Sequence, residues 1–229
     1  MSTVKNYTLL KVTNQESSPV VVYVTFAAQN PSNECCPSPV GVSNFPFLTQ
    51  VDGNSLMGYF TLDAQSSQIL DSDGQCLSGN ICFYIMPQCP VEGADFNNGE
   101  FGTSIAEFTL NPNENCAEAF DISCVNGVNS FIVMKTDPNS GWQYGPNNTP
   151  LSTVNNEIYN RGLQDNTGLP GVYPVNCTDC IQLVGTKPCP TLPIGPPQNE
   201  RICNIQRNST NGVFGGMLEV ILTQPIPAV

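Results

Sequence analysis

The chain has 229 residues, 40 % of them hydrophobic, so a sizeable core is within reach, yet only 11 % are charged, against a usual level of about 25 %. Nineteen acidic side chains outnumber seven basic ones, and a net charge of −12 argues against partners with a phosphate backbone, so no nucleic acid is expected. Histidine is absent, which excludes Ser–His and Cys–His nucleophile pairs and His-based metal sites and leaves any acid–base chemistry to carboxylates.

Taken in order, the chain reads as short strands joined by turns, in keeping with its 19 glycines and 20 prolines. Tyr7 to Thr13 alternates, with Leu10 and Val12 on one face. Val20 to Ala27 is a dense β-branched run and the strongest strand; the two together predict an N-terminal hairpin. Residues 29–55 read as loop, with Phe45-Pro46-Phe47-Leu48 as a cover for an edge or a contact surface. Leu56 to Leu62, Ala64 to Ile69 and Gly79 to Met86 are further strands. Asp71-Ser72-Asp73-Gly74 resembles the start of a calcium loop but lacks the closing Glu, so it reads as a turn. Ser104 to Leu110 is a strand with Glu107 facing away from the apolar row of Ala106, Phe108 and Leu110. Ala119 to Val125, Ser130 to Met134 and Gly215 to Thr223 complete the strands, and the last should close a sheet begun near the N-terminus. Thr153 to Arg161 and Cys180 to Val184 are short helix candidates. The expected organisation is one domain: residues 1–136 with 204–229 form the core, and 137–203 an irregular disulfide-rich excursion. No apolar stretch approaches about 18 residues, so no membrane insertion is expected.

Eleven cysteines, at 35, 36, 76, 82, 89, 116, 124, 177, 180, 189 and 203, form a set of disulfide candidates. Cys177 and Cys180 make one CxxC, but neither a second CxxC nor a histidine pair completes a zinc site, so no metal or cofactor is expected. Cys35 and Cys36 are adjacent and should bond to two different partners. The opening MSTVKNYTLLKVTN lacks the apolar region of a secretory signal. Two settings reconcile this with a disulfide framework: extracellular, with a leader already removed, or the surface of a particle with its own thiol oxidation.

The segments Ala106-Glu107-Phe108-Thr109-Leu110-Asn111, Phe120-Asp121-Ile122-Ser123 and Val125-Asn126-Gly127-Val128-Asn129 resemble the thaumatin-like family in order and near-spacing. Gln75 to Phe83 and Cys180 to Cys189-Pro190 are similar to flanking elements of that family. The resemblance implies an all-β fold, an antiparallel β-sandwich with a disulfide-braced loop region. It also implies an acidic cleft linked to β-1,3-glucan binding and, in some members, weak endoglucanase activity. Carried over, Glu107 holds the family's Glu position and Asp121 an Asp position; Glu118 stands for a second Asp, Glu100 falls at the Arg position, and a last Asp has no counterpart.

Glu107, Glu118 and Asp121 are therefore the expected binding surface, with Trp142 and Tyr144 of WQYG as an aromatic platform for a sugar ring. The resulting reading is a non-enzymatic, disulfide-stabilised surface or structural protein that binds a β-glucan, another glycan, or protein partners in an assembly such as a virion. The alternative is an endo-β-1,3-glucanase with Glu107 and Asp121 as its catalytic carboxyls.

Overall fold

The computed structural model describes residues 5–85, 104–123, 130–144, 148–159, 172–173 and 205–225. Strands β1 (Leu9–Asn14), β2 (Val20–Phe26), β3 (Thr49–Val51), β4 (Asn54–Leu62), β5 (Ser66–Leu70) and β6 (Leu77–Ile85) build the first half. Strands β7 (Ile105–Leu110), β8 (Glu118–Ser123) and β9 (Ser130–Thr136) follow. The short strands β10 (Gln143–Tyr144), β11 (Thr149–Pro150), β12 (Glu157–Tyr159), β13 (Val172–Tyr173) and β14 (Ile205–Arg207) lead to the final β15 (Met217–Pro225).

Two sheets result. One has the order β12-β9-β15-β1-β5; the other runs β11-β10-β14-β8-β7-β6-β2-β4-β3, with β13 also on β8. The expected all-β architecture of antiparallel sheets is present, with one parallel pair among the described residues: β15 lies beside β1 from Leu9↔Met217 to Asn14↔Leu222. The last strand thus closes the sheet that the first begins. Leu10, Val12, Met134 and Val220 of the small sheet pack in one core with Val22, Phe83, Phe108 and Phe120 of the large one. That shared apolar core is what holds the sandwich together.

The predicted N-terminal hairpin does not form, because β1 and β2 belong to different sheets. Asn14, buried at the end of β1, turns the chain: its side-chain amide donates to the carbonyls of Ser18, Leu62 and Asp63, and its Oδ1 accepts from the Glu16 amide. Every residue of β2 is buried, which suits a central strand and not one arm of a hairpin. Its inner face joins the main core, while Val21 and Tyr23 pack outside with Met57 and Cys82. The helix expected at Thr153 to Arg161 is replaced by a 3-10 turn at Leu151–Val154 and by β12. Asn155 and Asn156 between them have φ of 61° and 57°, which ends any right-handed helix.

Disulfides Cys35–Cys116 and Cys36–Cys76 send the adjacent cysteines to two partners, as expected. They fasten the loop after β2 to the ends of the large sheet. Phe45 of that loop stacks on Phe26, and Phe47 meets Phe60 edge-on, so the Phe-Pro-Phe segment covers the core. Cys89, Cys124, Cys177, Cys180, Cys189 and Cys203 lie outside the described residues, as does the helix candidate at 180–184.

Gly79 of β6 pairs with Phe26 of β2. A Cβ there would lie 2.0 Å from the Thr25 carbonyl oxygen, a clash with backbone that no rotamer relieves. Gly79→Ala should cost at least about 3 kcal/mol in urea unfolding. A midpoint unchanged from the parent would show that β2 and β6 separate more easily than this packing implies.

Candidate functional site

Alternation along β7 and β8 decides where each acidic side chain goes. In β7 the residues Ala106, Phe108 and Leu110 are buried, and Glu107 and Thr109 are half-buried on the opposite face. In β8 the residues Glu118, Phe120 and Ile122 point inward, and Ala119 and Asp121 outward. Glu118 and Asp121 are three residues apart, and an odd separation along a strand means opposite faces. The three acidic residues expected on one surface are therefore divided.

Glu118 is 0 % exposed and pairs at 2.7 Å with Nε of Arg207, itself 7 % exposed. Its other oxygen accepts the Asn111 amide at 2.9 Å. Burial pushes the Glu118 carboxyl up and Arg207 pulls it down, with the burial effect the larger. Arg207 also donates to the carbonyls of Ser140 and Gly215 and to Thr8 Oγ1. This is an internal brace and offers nothing to a ligand.

Trp142 belongs to the same brace. It is 3 % exposed, meets Phe120 edge-on at 4.9 Å and lies 4.5 Å beneath the Arg207 guanidinium. The aromatic platform expected at Trp142 is thus ruled out by burial: the ring pins its loop to the core. Tyr144 gives its backbone to β10, and its side chain is outside the described residues, as is Glu100.

Glu107 and Asp121 remain together. They stand directly opposite each other across β7 and β8, where the charge of Glu107 acts on Asp121. Any hydrogen bond between them needs a proton on one, since two carboxylates offer only acceptors. Burial is the main force raising both pKa values; for Asp121 the charge of Glu107 adds to it and carries the shift well above the ordinary 3.8.

The pair lies in a cleft of about 350 Å³ on the outer face of the large sheet. Sequence reading missed the rest of its floor. Thr25 is opposite Asn80, Asn80 opposite Glu107 and Glu107 opposite Asp121, so four adjacent strands present one polar row. At about 4.8 Å per strand the row spans roughly 14 Å. Ser78 and Thr109, hydrogen-bonded at 2.9 Å, form a second polar pair beside it. Thr25 Oγ1, Asn80 Oδ1 and Asp121 Oδ1 are buried and accept no hydrogen bond. The signal was present in VVVYVTF and LSGNICF, where the polar residues fall on the parity opposite to the inward apolar row. No group of three or more Asp, Glu, His or Cys converges among the described residues.

No family model matches the chain, and no curated protein matches it. Among solved structures, a thaumatin-like xylanase inhibitor aligns over 93 % of this chain and 97 % of its own, at 12 % identity and a TM-score of 0.43. The chemistry of the cleft is accordingly argued from this chain's own residues.

Two measurements separate brace from cleft. Glu118→Gln leaves the buried Arg207 without its counter-charge and should lower stability by about 3 kcal/mol or more. Asp121→Asn should raise the melting temperature at neutral pH, because it removes like-charge repulsion and keeps a polar partner for Glu107. Because both cleft carboxyls have raised pKa values, the fold holds their protons more tightly than the unfolded chain does. Their contribution is greatest at low pH and declines as pH rises from the ordinary values of 3.8 and 4.5 through the raised ones. Thermal melts should show that decline flattened in Asp121→Asn; an unaltered pH profile would contradict the coupling.

Proposed function

We propose that the protein is a disulfide-braced, non-catalytic binding module whose cleft takes the hydroxyl groups of a glycan. The observation that carries this reading is the row Thr25–Asn80–Glu107–Asp121, with three buried oxygens that lack hydrogen-bond donors. Buried acceptors without donors are costly, and a polyhydroxylated ligand supplies donors along a line. A row across four strands favours an extended oligosaccharide over a single small molecule. Recognition would rest on hydroxyl contacts, since Trp142 is committed to the core.

The shared environment of the carboxyls weighs against hydrolysis. Glycosidases hold their two carboxyls about 5 to 9.5 Å apart, with the scissile bond between them. Glu107 and Asp121 face each other directly across adjacent strands, which stand about 4.8 Å apart, at the short end of that range. Burial raises the pKa of both, so neither is held as the ionised group that the second role requires. Extracellular placement is consistent with the two disulfides among the described residues, since such bonds persist in oxidising settings.

Calorimetric titration with the β-1,3-glucan laminarin tests the reading. Binding should be measurable, and Asn80→Ala or Glu107→Gln should weaken it by about tenfold or more. A parallel assay should detect no new reducing ends. Absence of binding would sink the glycan reading, and release of reducing ends that stops in Glu107→Gln would favour the hydrolase.

A further inference from the structure

Two carboxyls in a half-buried cleft need something positive between them. Among the described residues lining the cleft, Glu107 and Asp121 are the only ionisable side chains; β2 and β6 bring Thr25, Ser78 and Asn80, which are neutral. No lysine or arginine contributes to the pKa shift of either carboxyl. A shared proton satisfies the pair at lower pH. Once that proton leaves, two facing carboxylates remain in a chain of net charge −12.

The groups around them are all oxygen donors. Asp121 Oδ1 and Asn80 Oδ1 flank Glu107 on either side, and both are buried with no donor. Thr25, 5 % exposed, places a third unpartnered oxygen in the cleft one strand beyond Asn80. Carboxylate, amide and hydroxyl oxygens without nitrogen or sulfur are the donor set of a hard cation. Neighbouring strands stand about 4.8 Å apart, so one ion at about 2.4 Å from each oxygen bridges adjacent side chains of the row.

We propose that the cleft binds a hard divalent cation, of the size and charge of calcium, at Glu107, with Asp121 and Asn80 Oδ1, its neighbours on the two adjoining strands, as the flanking ligands. The cation competes with protons for the two carboxyls, because carboxylates bind metal only when deprotonated. The site does not rest on the glycan reading, and it is measured with no glycan present.

The test is calorimetric titration of the whole protein with calcium chloride, in two buffers of different ionisation enthalpy, at a pH near neutrality and again near pH 4. Binding should appear near neutrality with proton release and weaken at least about tenfold at the lower pH. Glu107→Gln and Asp121→Asn should each weaken it at least about tenfold, and Asn80→Ala to a smaller extent. Asp73→Asn, on the exposed turn that resembles a calcium loop, should leave it unchanged. Far-UV circular dichroism establishes that each variant is folded. No calcium binding by the folded parent near neutrality would overturn the proposal. So would binding that survives Asp121→Asn, or that is lost in Asp73→Asn.

Discussion

The pair of Glu118 with Arg207 is the interaction on which the rest of the structure depends. It joins β8 to β14, and through Arg207 it reaches the 140 loop, the turn before β15 and the residue before β1. Asn111 extends the same network. Its backbone takes φ of 52°, its amide donates to Glu118, and its side chain pairs with both the N–H and the C=O of Thr8. That side chain thus does for Thr8 what a neighbouring strand would do. A buried ion pair adds little net stability by itself, but loss of either partner strands a charge in the core. Here the pair ties the residues that lead into β1 and β15 to β8.

The brace also determines what the cleft can be. Because Arg207 is bound inside to Glu118, it gives no positive charge to the outer face. Glu107 and Asp121 face each other there with only neutral side chains around them. Inner and outer faces of one strand therefore carry acidic groups with different work: Glu118 is neutralised by a cation, and Asp121 is left needing one. The glycan reading and the cation reading both start from that unmet need, one through hydroxyl donors and the other through a metal ion.

Much of this was legible in the residues. The alternation in IAEFTL puts Glu107 on the outer face, and β15 does lie beside β1. The three-residue step from Glu118 to Asp121 already separates them, yet the family resemblance of the segment groups them on one surface. What was not legible came from distant parts of the chain. Arg207 lies 89 residues from Glu118, and no local pattern marks it as that residue's partner. Asn80 and Thr25 become site residues only through the register of β6 with its two neighbours. Strands of two or three residues, such as β10 and β14, are too short to show a period. The buried Trp142 illustrates the same limit, because its role depends on Phe120 and Arg207 meeting it.

The central claim is that Glu107 and Asp121 act as one proton-sharing unit, while Glu118 is a separate structural charge. Carboxyl carbon NMR of the labelled protein across pH measures this directly. The account predicts that Glu107 and Asp121 titrate in two linked steps, with at least one well above the ordinary carboxylate range, and that Asp121→Asn collapses them to a single step at Glu107. Independent titration of both groups near their ordinary values of 4.5 and 3.8 would contradict it.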